Sequence, residues 1–332
     1  MSSIPNDDSD CKDIDVLCAG ILVADLFTDP LDKLLLPGEL ALVDNISLET
    51  GGCAINTGVN LSKLGAKVVL AGKVGNDFFG SAIKQDMQNK GLDIQGVGTA
   101  INCPTSKTLV VIVKGEDRRY IHSIGANAEF TVRDIDYSLV KRAKVVYVGG
   151  LLAMPGLDPS QLVPLFQYAQ EVKTKTILDV VVPSGAYIPE GLQALLPYVD
   201  VFLPNDDEAL AISGLHDPLE QANWFAQMGA GTVIITRGSK GSVVQMGSRK
   251  FRIGTYPIKL VDSSGGGDAF SSGFIFGELK GWGLQKKLEL ASALGASACM
   301  SRGCTNGTFT LSEALEFIEN YELAVEEIFA VL

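Results

Sequence analysis

The sequence predicts an α/β protein: a mostly parallel central sheet with helices on both faces, plus a small second β-sheet. From Arg133 onward, apolar strand-like runs alternate with helix-period segments, the pattern of βα units whose strands are buried on both sides. The first half carries extra strand signals, including a hairpin, that do not fit that alternation and read as a separate small sheet.

In chain order, the apolar run over 15–24 predicts the first strand, and moderate alternation over 40–48 predicts another. Residues 54–64 read as a helix closed by Gly65, 67–74 as a buried strand, and 78–89 as a helix closed by Gly91. The segments 108–113 and 119–124 flank Lys114-Gly115-Glu116-Asp117 and predict a hairpin. Strands are then expected at 144–148, 176–181, 199–203 and 232–236, with helices at 161–172, 206–213 and 219–228. Three helices close the chain, near 268–280, 284–300 and 311–328. The expected organisation is one domain over 12–330, with a small β lid from segments near 20–50 and 103–126. The polar, acidic residues 1–11 read as a flexible tail.

The 332 residues are 46% hydrophobic, enough for a large core, and carry a net charge of −12. No basic block offsets that charge, so nucleic acid and anionic membranes are not expected partners. No run is long and apolar enough to span a bilayer, and the N-terminus lacks the basic start of a secretory signal. The six cysteines are scattered without a C-x-x-C pair, which suits reduced thiols in a cytoplasmic protein. No G-x-x-x-x-G-K-[ST] occurs, and no G-x-G-x-x-G follows the first strand. The two histidines, His122 and His216, have no metal-site spacing, so a histidine triad or zinc hydrolase is poorly supported.

The chemistry concentrates near the C-terminus, where Asp262-Ser263-Ser264-Gly265-Gly266-Gly267-Asp268 runs into a helix. Glycines there let backbone N–H groups converge on an anion at a helix N-terminus. A carboxylate beside such a cradle repels phosphate, but it makes sense if Asp268 takes a proton from an attacking hydroxyl. Its alternative role is to cap the helix. In the first half, Gly51-Gly52 precede a helix bearing Asn56, which offers both a donor and an acceptor to a small polar ligand. Asp25 ends an apolar strand, where it could accept sugar hydroxyls or simply start a turn. Asn205 and Glu208 lie three apart after the apolar run 201–203. They suit a water-coordinated Mg2+ or, equally, an acidic first helical turn.

Taken together, these motifs resemble the ribokinase/PfkB family of carbohydrate kinases over about 14–328. Its two glycine-rich patterns are matched by Gly51-Gly52 through Gly80 and by Asp262 through Gly273. Gly125-Ala126-Asn127, the Asn205-to-Glu208 motif and Thr236-Arg237-Gly238-Ser239-Lys240-Gly241 fall in the family order. The resemblance implies a ribokinase-like fold and transfer of the ATP γ-phosphoryl group to a hydroxyl of a small sugar or sugar acid. By position, Asp268 is similar to the catalytic base, and Gly265, Gly266 and Gly267 to the anion hole. Asp25, Gly51, Gly52 and Asn56 resemble sugar ligands, and Asn205, Thr236 and Gly238 nucleotide contacts. Glu208 resembles the support of Mg2+ through water. Asp262 and Ser264, with backbone near Gly303, resemble a monovalent cation site for K+. A homodimer through the lid is expected.

Two departures bear on the substrate. Cys53-Ala54-Ile55-Asn56 stands where ribokinases proper have Lys-Gly-Ala-Asn, and no acid follows the strand ending Tyr147-Val148-Gly149-Gly150-Leu151. The acceptor could instead meet Arg118, Arg119 or His122 of the lid, or those three are solvated hairpin charges. A nucleoside kinase of the same fold and a non-catalytic sugar- or nucleotide-binding protein are the alternatives.

Overall fold

A computed structural model describes residues 12–116, 119–183, 185 and 190–329. Its strands are β1 (Ile14–Gly20), β2 (Val23–Thr28), β3 (Ile46–Gly51), β4 (Val68–Gly75), β5 (Asp93–Ala100), β6 (Lys107–Val111), β7 (Arg119–Ser123), β8 (Ala143–Leu151), β9 (Lys175–Val180), β10 (Val201–Phe202), β11 (Thr232–Thr236), β12 (Ser242–Met246), β13 (Arg249–Ile253) and β14 (Val325–Ile328). Ten of them form one sheet in the order β14-β13-β12-β11-β10-β9-β8-β1-β4-β5. It is parallel from β5 to β11, and β12, β13 and β14 add antiparallel at one edge. A second sheet has the order β3-β2-β6-β7.

The helices are α1 (Cys53–Lys63), α2 (Phe78–Asn89), α3 (Tyr137–Arg142), α4 (Pro159–Glu171), α5 (Gly191–Leu195), α6 (Asp206–Ser213), α7 (Pro218–Gln227), α8 (Gly266–Leu279), α9 (Leu284–Cys299) and α10 (Leu311–Asn320). They cover both faces of the large sheet. Along β1, Val16 and Cys18 join a core built with α1, α2, α8 and α9, while Leu17 and Ala19 join the opposite core built with α3, α4 and α7. Strands buried on both faces read as continuous apolar runs, so the parallel units were visible in the sequence.

The sequence-based expectations differ from the structure at several points. The run over 15–24 is two strands in two sheets. At the crossing, Leu22 N–H donates to Asn127 Oδ1 (3.2 Å) and Asn127 Nδ2 donates back to Leu22 O (3.0 Å). The Gly125-Ala126-Asn127 motif therefore fixes the point where the chain changes sheets. The strand expected at 40–48 is displaced to β3. Leu40 and Leu42 are 85% and 91% exposed, so their alternation has no core to face. The last helix ends at Asn320, and 325–328 pairs with β13 instead. There, Arg249 Nε donates to Glu327 Oε1 (2.7 Å), an edge pairing that helical periodicity cannot foresee. Strand β5 and the β12–β13 hairpin were not anticipated.

Candidate active site

Three helix N-termini and the ends of the parallel strands position the groups of interest. Helix α8 starts at Gly266 with Gly265 as its N-cap, at φ +72°. A methyl group at Gly265 would lie 2.3 Å from the Cys304 carbonyl oxygen, so this position needs glycine on both conformational and steric grounds. Gly266 is crowded by Cys299 Sγ, 3.1 Å from where its Cβ would be, whereas at Gly267 nothing lies within 4 Å. The first-turn N–H groups have no intrahelical partners, although Gly266 N–H makes a long 3.4 Å bond to Ser263 O, and the positive end of the helix dipole lies here.

Asp268 is the third residue of α8 and does not cap it, because Gly265 holds that place. Its Oδ2 instead accepts a 2.8 Å bond from Asn56 Nδ2 on α1. Burial pushes the Asp268 carboxyl up to about 6, opposed by hydrogen bonds from Asn56 and from the Cys53 thiol. Thr57 Oγ1 adds a 3.5 Å contact to the Asp268 carbonyl oxygen. Cys53 opens α1 behind the N-cap Gly52, so Cys53, Asn56 and Thr57 share the helix face turned to α8. Asn56 Oδ1 is buried without a partner.

The small sheet contributes a row of polar side chains. Asp25 on β2 is paired with Glu49 on β3 and Thr108 on β6, and Thr108 with His122 on β7. Thr108 Oγ1 lies 3.1 Å from His122 Nδ1. Burial raises the Asp25 carboxyl, while a hydrogen bond to Thr108 and the nearby His122 act in the opposite direction. Asp25 lies over Gly51, where a Cβ would be 2.1 Å from Asp25 Oδ2. Glu49 reaches Gly303, whose Cβ would be 2.7 Å from Glu49 Oε2. Burial first, and then the charges of Asp268, Asp25, Asp262 and Glu49, push the Cys304 thiol up to about 12. That one thiol is within electrostatic reach of carboxylates from both halves of the chain.

Asn205 and Glu208 form a reciprocal capping box at the start of α6. Asn205 Oδ1 accepts from Glu208 N–H (2.8 Å), and Glu208 Oε2 accepts from Asn205 N–H (2.9 Å). The helix-start reading of this motif is therefore realised. Glu208 is nevertheless pushed up to about 7 by burial, with the charge of Asp268 adding to the rise, which puts it in the same corner. Asn205 forms a bridge with Thr236, whose N–H donates to Pro204 O (3.1 Å), so this motif and the Thr236–Gly238 turn are neighbours. Asp262 Oδ1 accepts from Ser264 N–H (2.7 Å) and its Oδ2 from Gly303 N–H (3.2 Å), joining the loop before α8 to the loop after α9. Arg119 pairs with Glu116 at the surface, and Arg118 lies outside the described residues.

Sequence reasoning missed Asp179. It stands near the end of β9, where Tyr147 OH donates to its Oδ2 (3.1 Å). Burial, and then the charges of Glu208 and Asp268, hold its carboxyl well above the usual carboxylate range. The signal was available, since Asp179 is the one charged side chain inside the apolar run 177–182. Glu49 and Thr108 were also missed, because only the strand register aligns them with Asp25.

The chain is similar to known proteins in sequence and in fold. Residues 13–310 match the family model described as pfkB family carbohydrate kinase. The chain is 28% identical to the 5-dehydro-2-deoxygluconokinase of Clostridium botulinum over 294 residues, covering 81% of this chain and 84% of that one. It is 26% identical to the ribokinase of Haemophilus influenzae over 289 residues, covering 86% and 92%. An E. coli protein described as a ribokinase II, solved with ATP and Mg2+, superimposes with a TM-score of 0.76 at 23% identity, covering 93% of this chain and all of that one. No helix among the described residues is long and apolar enough to cross a membrane. With the fold, the glycine-rich helix start and the family match in agreement, this chain belongs to the pfkB family of carbohydrate kinases.

Proposed function

We propose that this carbohydrate kinase transfers the γ-phosphoryl group of ATP to a hydroxyl of a small sugar or sugar acid, with Asp268 as the base. The observation that carries this reading is the placement of Asp268. Its carboxylate sits in the first turn of a glycine-started helix, has no capping duty, and is held by Asn56 (2.8 Å). Asp25, Gly51, Gly52 and Asn56 hold the acceptor, supported by the Asp25 carboxylate over Gly51 and by the partnerless Asn56 Oδ1. The N–H groups at Gly265, Gly266 and Gly267 meet the transferring oxygens. As the acceptor oxygen attacks, Asp268 takes its proton, and the positive end of α8 offsets charge on the phosphoryl oxygens. The small sheet acts as a lid that excludes water.

Asn205, Thr236 and Gly238 hold the nucleotide. The oxygen-rich corner of Glu208, Asp179 and Asp268, where burial and neighbouring carboxylates raise Asp179 and Glu208, would suit Mg2+. Glu208, with Asn205, holds Mg2+ through water, using Glu208 Oε1, since Oε2 serves the cap. When bound, Mg2+ neutralises charge on the β- and γ-phosphates. K+ is assigned to the Asp262–Ser264 loop beside Gly303, and is tested by exchanging K+ for a bulky monovalent cation.

We also assign a homodimer through the small sheet, supported by its exposed apolar side chains Ile46, Leu48 and Ile121 and by its open edges. A monomeric mass in solution at micromolar protein contradicts the dimer. A cytoplasmic setting fits the use of ATP and the free cysteines. The kinase reading is tested by ADP release with Mg-ATP against pentoses, ketohexoses, sugar acids and nucleosides. Turnover with a sugar or sugar acid supports it, turnover with nucleosides alone redirects it, and turnover with none favours a binding protein.

A further inference from the structure

We propose that Cys53, Asp179 and Asp268 form a binding site for a thiophilic divalent cation, Zn2+ in the first instance, whose occupancy inhibits the kinase. Cys53 Sγ and one carboxylate oxygen each from Asp179 and Asp268 all lie within 4.8 Å of one another. Zinc–ligand bonds of about 2.0–2.3 Å place tetrahedral ligand atoms about 3.3–3.8 Å apart, so side-chain rotations of about 1 Å close the set. The ligands come from three separate elements: the first residue of α1, the end of β9 and the first turn of α8.

A second observation is a polar side chain bonded to the cluster with an unpartnered oxygen. Asn56 is 4% exposed, and its Oδ1 has no hydrogen-bond partner, while Nδ2 of the same amide is 2.8 Å from Asp268 Oδ2. Tyr147 OH donates to Asp179 Oδ2 at 3.1 Å, a hydrogen bond that helps hold this carboxylate in place. The thiol sets the metal preference: thiolate suits Zn2+, whereas Mg2+ demands oxygen ligands and retains its waters. On binding, Cys53 loses its thiol proton to solvent and its sulfur bonds to the metal.

The existence of the site rests on this geometry alone. Its inhibitory effect rests on the reading of Asp268 as base, because a carboxylate oxygen bound to Zn2+ cannot accept the hydroxyl proton.

The test uses metal-free full-length protein. Calorimetric titration with Zn2+, in two buffers of different ionisation enthalpy, is expected to show one tight equivalent per chain with proton release. Cd2+ is expected to produce the ultraviolet thiolate-to-metal charge-transfer band. Cys53→Ala should weaken Zn2+ binding by about tenfold or more and abolish the band. Asp179→Asn, with its fold checked by circular dichroism, should also weaken binding. Zn2+ should lower turnover at fixed Mg-ATP by a larger factor in wild type than in Cys53→Ala. Wild-type affinity in Cys53→Ala, or no Cd–thiolate band in wild type, overturns the site. A protein that binds Zn2+ through Cys53 yet turns over no acceptor keeps the site and overturns its inhibitory role and the base reading. A working kinase that binds no Zn2+ overturns the site and leaves the base reading intact.

Discussion

Asn56 Nδ2 donates to Asp268 Oδ2 across 2.8 Å, joining the first turns of α1 and α8 although the residues stand 212 positions apart. This contact links the glycine pair of the first half to the glycine run of the second. It also orients a carboxylate that burial would otherwise leave protonated over a wider pH range. Asn56→Asp would set two carboxyls against each other. That variant should lose activity at neutral pH and move the acid limb of its rate profile upward, as read from kcat/KM against pH.

Asp268→Ala should lower kcat by roughly 10²–10⁴-fold, the usual contribution of a positioned base. ATP affinity, measured by calorimetry, should change only a few-fold, because the first-turn N–H groups remain.

The raised Asp268 carboxyl predicts two pH effects. Activity requires the ionised form, so kcat/KM should fall by about tenfold per unit as pH drops below about 6. Glu208, raised to about 7, shares the corner, so the observed limb belongs to the pair. Stability runs the other way. Between the ordinary aspartate value of 3.8 and about 6, the folded chain keeps a proton that the unfolded chain has lost, so stability falls as pH rises and the full cost is present above about 6. Asp268→Asn should therefore raise stability at pH 8 by about 3 kcal/mol, with the difference vanishing below about pH 4. Thermal unfolding of both proteins at the two pH values reads this directly.

Asp25→Ala and Asn56→Ala each remove hydrogen-bonding groups from the acceptor side. The acceptor KM should rise by about 10–100-fold, in line with the loss of one hydrogen bond to a charged or buried group. ATP affinity should hold. Steady-state kinetics with each substrate varied in turn checks the separation.

The glycine run separates folding from chemistry. Gly265→Ala places a methyl 2.3 Å from the Cys304 carbonyl oxygen in a backbone with φ +72°, and should destabilise by about 1–3 kcal/mol. Gly267→Ala meets nothing within 4 Å and lies inside the helix, so stability should hold or rise by about 0.5–1 kcal/mol. Its activity should fall nonetheless, because the new methyl occupies the open side of the anion turn. Denaturant melts paired with turnover measurements distinguish the two cases.

Much of this was legible in the sequence. The doubly buried strands β4, β8 and β11 are largely apolar runs, and Asp268 and Asn56 each follow a glycine-led helix start, whereas Asp25, expected at the end of a strand, lies inside β2. Other features depend on long-range pairing. Glu49, Thr108 and His122 align with Asp25 only through the register of the small sheet, and their spacing along the chain carries no trace of it. The displaced β3 and the strand β14 show the same limit from the opposite side. Leu40 and Leu42 have a strand's alternation but no partner surface, and 325–328 exchanges helix for pairing with β13. The Asn205–Glu208 spacing served both of its readings, since the capping box and the acidic corner use the same pair of side chains.

The most direct test is single-turnover phosphoryl transfer from Mg-ATP by wild type and Asp268→Asn, using whichever acceptor the panel identifies. With Asp268 as the proton acceptor, the variant binds ATP within a few-fold of wild type and phosphorylates the acceptor at least about 10²-fold more slowly. A transfer rate within a few-fold of wild type would contradict that role.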